Sequence, residues 1–220
     1  MAFKELIYLL YFVCLFLSAL TASLYWKSLK SRQLFIFVPF LCYLFIQEVV
    51  AYIGSNYYRM STELLYNLYR PILVCVFTWF FYHIPFNKQS RKLILWMFFI
   101  YIAIVTVTFV LLYSAYKFNS YLSMAAGIII TSCALITLYN YFNLDNSSEE
   151  RKWEPVTWIA TGVVIFYPVV NISFAFYTHI NNYKAYIFDM ILFRAVPVIM
   201  SIFMYSCYTY AFLLCHRKKI

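Results

Sequence analysis

Long apolar runs separated by short polar stretches divide the chain into seven segments, roughly Leu6–Trp26, Gln33–Ile53, Leu64–Ile84, Leu93–Tyr116, Tyr121–Phe142, Pro155–Tyr177 and Tyr186–Cys215. A helix rising about 1.5 Å per residue needs about 20 apolar residues to cross a hydrocarbon core about 30 Å thick. Each run meets that length. The pattern predicts an all-α polytopic membrane protein, a single seven-helix transmembrane domain over residues 1–220. The opening run exceeds the apolar core of a signal peptide, about 7–15 residues, and is expected as a retained helix.

Composition agrees with a lipid bilayer as the main partner. The chain is 65% hydrophobic and 11% charged, against about 25% charged in a soluble domain. With 23 Tyr, 23 Phe and only 3 Gly, helix contacts are expected to be aromatic rather than built on small residues. Cys14, Cys42, Cys75, Cys133, Cys207 and Cys215 all fall in or beside apolar runs without a C-x-x-C spacing, and read as small buried hydrophobes with free thiols.

The net charge of +9 follows the connections and so speaks for topology; nucleic acid is not expected as a partner. If every segment spans, Lys27, Lys30, Arg32, Lys88, Arg91, Lys92, Arg151, Lys152, Arg217, Lys218 and Lys219 share one side, and Lys4, Arg59, Lys117 and Lys184 the other. The positive-inside bias predicts an outside N-terminus and a cytoplasmic C-terminus in the inner membrane.

Ionisable residues inside spans are costly and point to function or to paired structure. Glu48, Arg70, Asp189 and Arg194 are such residues. With the expected topology, Glu48, Arg70 and Asp189 come about 6–9 Å below the outer surface and Arg194 about 14 Å, near the midplane. Asn67 and Asn171 share that half, and His179 stands at its rim. These residues predict an outward-facing polar pocket. Two arginines would clamp a small anionic ligand, a carboxylate or phosphate, with the acids orienting them. The competing reading is structural: Arg70 snorkels, and Glu48 and Arg194 pair to set helix positions.

No H-E-x-x-H, P-loop, G-x-S-x-G or G-x-G-x-x-G is present, so no catalytic residue, metal or cofactor is assigned. His83, His179 and His216 are too dispersed to share a metal. Ser173, His179 and Asp189 form a hydrolytic set only on paper. The favoured function is a sensor or accessory subunit signalling to a cytoplasmic protein partner. The polar segment 144–155, expected as a solvated turn before a span opened by Pro155, and the tail 216–220 would serve as its docking surfaces. The first alternative is a small-solute transporter with a 3+1+3 parallel repeat. It rests on Leu68-Tyr69-Arg70-Pro71 against Leu192-Phe193-Arg194 with Pro197, and on Asn56-Tyr57-Tyr58-Arg59 against Asn181-Asn182-Tyr183-Lys184. The second is a membrane-embedded lipid-modifying enzyme. Pro71, Pro168 and Pro197 are expected to kink their spans beside polar residues.

The run Phe118-Asn119-Ser120-Tyr121, the pair Tyr141-Phe142 and the pattern Pro155-x-x-Trp158-Ile159-x-x-Gly162-x-x-x-Phe166-Tyr167 resemble a group of uncharacterised seven-helix membrane proteins common in Bacteroidetes. Asn67-x-Tyr69 and Phe80-Phe81-Tyr82 extend the resemblance over most of the chain from the third span onward. In that group an acidic residue follows the N-x-Y element a turn later, where this chain has Ile72, Leu73 and Val74. The resemblance implies the seven-helix fold and no particular activity.

Overall fold

The computed structural model describes residues 3–30, 33–58, 60–84, 87–112, 120–143, 147–176, 186–187 and 190–217. Eight helices run through them: α1 (Phe3–Leu24), the short α2 (Trp26–Lys30), α3 (Phe37–Tyr57), α4 (Glu63–His83), α5 (Lys88–Val107), α6 (Ser120–Phe142), α7 (Ser147–Ala175) and α8 (Leu192–Arg217). All but α2 are long and apolar enough to cross a membrane, 7 in number. The chain is a multi-pass integral membrane protein. Asp189 and His179, and with them the Ser173, His179 and Asp189 set, lie partly or wholly outside the described residues.

The spans alternate in direction. Ser23 near the end of α1 meets Cys42 near the start of α3 at 3.7 Å, whereas Tyr25 stacks on His216 at the end of α8, with ring centroids 4.2 Å apart. Phe37 at the start of α3 meets Phe80 near the end of α4, so one end of the bundle gathers the end of α1, the start of α3, the end of α4 and the end of α8. Lys27, Lys30 and Arg217, and Lys88, Arg91 and Lys92 at the start of α5, belong to elements that begin or end there, and it is called the basic end below.

α1 packs on α3 and α8, α8 on α7, α7 on α6, and α6 on α4. A thin α3–α4 contact closes the ring of six helices. α5 stands outside it against α4 and α6, with only Ile94 and Tyr101 buried. Its many exposed apolar side chains, Trp96, Phe99 and Ile100 among them, would be unstable in water and belong in lipid.

The ring uses two kinds of interface. On the α3–α4 side aromatics fill the space: Phe40 stacks on Tyr69 at 6.3 Å, and Phe37 packs edge-on to Phe77 and Phe80 at 5.7 and 4.9 Å. Such bulk holds the backbones apart. On the α6–α7–α8 side small residues add to the aromatic contacts. Trp158 meets Tyr210 edge to face at 4.8 Å, while a Cβ at Gly162 would lie 3.1 Å from Cys207 Cβ, and Ala126, Ala134, Ala160 and Ala211 are buried. Small residues let backbones approach and gain dispersion contacts that lipid cannot supply.

Two expected boundaries move. α7 begins at Ser147, so part of 144–155 is helix and Pro155 sits inside it rather than opening the span. The seventh span begins at Leu192, because Tyr186–Ile187 and Met190–Ile191 pair as a two-stranded antiparallel hairpin. From Arg194 to Arg217 the helix already has 24 residues, about 36 Å at 1.5 Å each. A helix continued from Tyr186 would overshoot the hydrocarbon.

Candidate functional site

α3 turns a stripe of Phe37, Phe40, Leu41, Leu44, Gln47 and Ala51 into the bundle. Glu48 lies at the edge of that stripe, nine residues before the last residue of α3 and about 14 Å from that end. Side chains of three other helices converge on it. Tyr66 Oη of α4 donates to Glu48 Oε2 at 3.2 Å, and the Tyr11 phenol of α1 lies beside the same carboxylate. Tyr11 in turn lies against Tyr205 of α8. Tyr205, Tyr11, Glu48 and Tyr66 thus bring four helices together around one carboxylate.

More rings surround it. Tyr11 and Tyr205 lie 6.0 Å apart, Tyr8 and Tyr52 6.3 Å, and Phe12 and Tyr52 5.5 Å, edge to face. Tyr69 is within electrostatic reach of Glu48, Tyr205, Tyr208 and Tyr167. Heptad-like spacing explains this: Ile7, Tyr11, Leu15, Ser18 and Ala22 face inward from α1, and Tyr205, Tyr208 and Phe212 from α8. The tyrosines went unrecognised in the sequence, where they counted as aromatic bulk. The available signal was a phenol recurring at inward positions, since a buried Tyr hydroxyl needs a partner.

The other described sequence-predicted residues fall on α4, α7 and α8. Arg194 is in the first turn of α8 and exposed, not at the midplane. The residues before it are spent on the hairpin, so the helix starts later than expected. It remains within electrostatic reach of Tyr8 and Tyr66, on the Glu48 side of the ring. Arg70 is 6% exposed and does not snorkel. Its Nη1 donates to Asn67 Oδ1 at 2.9 Å, and it is within reach of Tyr101 of α5, Tyr66 and Tyr69. Arg70 and Glu48 share Tyr66 and Tyr69 as neighbours and do not bond each other. Asn171 is elsewhere again, donating from Nδ2 to Met124 O of α6 at 3.2 Å.

Two polar centres result: Glu48 with its phenols inside the ring, and Arg70 with Asn67 facing α5. Near them several buried polar atoms have no hydrogen-bond partner among the described residues, namely both amide atoms of Gln47, Ser18 Oγ and the Tyr101 and Tyr208 hydroxyls. Toward the basic end aromatic side chains fill the ring. Phe37, Phe77, Phe80, Phe81 and Phe212 are almost wholly buried there, and Phe37 touches both Tyr208 and Phe212.

His83 and His216 have structural contacts. His83 Nδ1 lies 2.8 Å from Trp79 O, and His216 stacks on Tyr25. Among the described residues no group of three His, Cys, Asp or Glu side chains gathers as metal ligands. All six cysteines are free thiols. A comparison with protein-family models, curated proteins and solved structures finds no match for this chain.

Proposed function

We propose that this chain is the membrane-embedded sensor or accessory subunit of a larger assembly, with its ligand site in the tyrosine-lined half of the bundle and its output at the basic end. The observation that carries this reading is the asymmetry of the interior. One half holds a carboxylate and converging phenols, and the other is closed by tightly packed phenylalanines. Groups at one end can take up a ligand, whereas the packed phenylalanines close the far side to all but a few hydroxyls. Occupancy that shifts Tyr11, Tyr66 or Tyr205 moves α1, α4 and α8 together, and α1 and α8 meet again at Tyr25 and His216.

The charge pattern supports the orientation. Basic residues concentrate at the plugged end, which the positive-inside rule assigns to the cytoplasm, so the tyrosine-lined half faces outward from the inner membrane. The segment leading into α7 and the tail after Arg217 then lie where a cytoplasmic protein partner can reach them.

A transporter is the second reading, favoured by the peripheral α5, which stands as a linker between two groups of three spans. The groups are unequal, however: α7 and α8 pack closely while α3 and α4 are held apart. The experiment is reconstitution of the purified chain in proteoliposomes, beside purification from native membranes with and without residues 216–220. A sensor gives no solute flux and a co-purifying partner lost with the tail. Flux by the chain alone would replace this reading with the transporter.

A further inference from the structure

We infer that Glu48 and the aromatic rings about it form a receptor site for an ammonium group. The inference rests on reading this half of the bundle as the ligand-binding end, and it names the ligand's chemistry. Among the described residues Glu48 accepts one hydrogen bond, from Tyr66, has the Tyr11 phenol beside it, and has no cation bonded to it. The phenols hold the carboxylate in place but supply no counter-charge, and a carboxylate has room for further donors. An intramembrane carboxylate calls for a counter-charge.

The surroundings select which cation. Tyr8, Tyr11, Phe12, Tyr52 and Tyr205 meet in tilted or edge-to-face pairs with centroids 5.3–6.3 Å apart. In such pairs one ring can offer its face, which carries the negative end of the quadrupole. An alkylammonium gains from ring faces and from a carboxylate at once. A compact metal ion gains little from rings and needs several oxygen ligands, and no acidic group joins Glu48 in a metal-ligand cluster among the described residues. Glu48 is not fully enclosed, and Tyr52 one turn on is 43% exposed.

An anionic ligand fits less well. Arg70 donates to Asn67 and has Tyr101, Tyr66 and Tyr69 within electrostatic reach, and Arg194 has Tyr8 and Tyr66, but the Glu48 carboxylate bonded to Tyr66 would repel an anion there. Arg194, within reach of Tyr8 and Tyr66, divides the ammonium compounds into two sources. A simple cation meets its repulsion, whereas a zwitterion sets an anionic group toward it.

The test uses the full chain in lipid nanodiscs and follows the unfolding midpoint during titration with tetramethylammonium and with glycine betaine, sodium chloride holding ionic strength constant. A ligand that binds only the folded state raises the midpoint with concentration. The expected result is a saturable rise with at least one of the two compounds, absent in Glu48→Gln. If Glu48→Gln does not fold, Tyr52→Leu at the rim replaces it and should weaken binding about 2- to 5-fold by loss of one ring face. A betaine effect that Arg194→Gln removes assigns the zwitterion; a tetramethylammonium effect that survives it assigns the simple cation. No rise beyond that of sodium chloride, or a rise unchanged in the Glu48 and Tyr52 variants, overturns the inference. Ammonium binding without a co-purifying partner would sink the sensor reading alone, and a partner without ammonium binding would sink this inference alone.

Discussion

Gly127 of α6 leaves the space that the Asn171 carboxamide of α7 occupies: a Cβ at residue 127 would fall 2.6 Å from Asn171 Nδ2 and 2.8 Å from its Cγ. Asn171 uses that space to reach Met124 O at 3.2 Å. The bond ties α7 to α6.

Gly127→Ala should destabilise the protein by about 1–3 kcal/mol, the usual range for overpacking. Asn171→Ala alone should cost less, about 0.6–1.5 kcal/mol, for a single hydrogen bond within a membrane bundle. The double variant should be more stable than the sum of the two losses implies, because the second change removes the group with which the new methyl collides. Unfolding in graded detergent would measure all three, and strict additivity would refute the contact.

Glu48 should couple to Tyr66 more strongly than to Arg194. The Tyr66 hydroxyl donates directly to the carboxylate, whereas Arg194 reaches the tyrosines around it. Tyr66→Phe is expected to cost about 1.5–3 kcal/mol, as for a hydrogen bond to a charged group. A double-mutant cycle of Tyr66→Phe with Glu48→Gln should show an interaction energy above about 0.5 kcal/mol. The cycle of Glu48→Gln with Arg194→Gln should show less; the reverse order would mean that the ion pair dominates.

Gln47 is 4% exposed, and neither of its amide atoms is bonded among the described residues. Leaving such atoms unmet costs about 1–3 kcal/mol, so Gln47→Leu, similar in bulk and apolar, should stabilise the bundle. A rise in unfolding midpoint is the expected reading. A fall would show that the amide has a partner, such as water or ligand, in the membrane.

Asn67→Leu should lower stability by about 1.5–3 kcal/mol, since it removes the acceptor that Arg70 Nη1 holds at 2.9 Å and leaves buried charge less satisfied. Asn67→Asp, which keeps an acceptor and adds opposite charge, should retain more stability than Asn67→Leu. Parallel unfolding curves would decide, and equal losses would argue that Asn67 acts by shape alone.

The seven spans were legible because membrane insertion is a one-dimensional criterion: about 20 apolar residues in a row satisfy it whatever they pack against. Leu64–Ile84 and Tyr121–Phe142 are each within a residue of α4 and α6 at both ends. The seventh run differed because the apolar residues from Tyr186 to Ile191 satisfy a hairpin as readily as a helix, and hydropathy does not separate the two. That difference of six residues moved Arg194 from mid-membrane to the first turn of α8.

Sequence alone also marked Glu48, Arg70, Asn67 and Asn171 as polar groups in an apolar setting, because composition registers the cost of burying them. Their partners were invisible to it. Glu48 meets Tyr66 and Tyr11, Arg70 meets Asn67, and Asn171 meets Met124, and all but the Arg70 bond depend on which face of one helix meets which face of another. Hydropathy along a chain determines how many times it crosses lipid, while the rotation and neighbour of each helix follow from side-chain shape across it: small at Gly127 and Gly162, bulky at Phe40 and Tyr69. Only the folded bundle decides that a carboxylate lies among tyrosines.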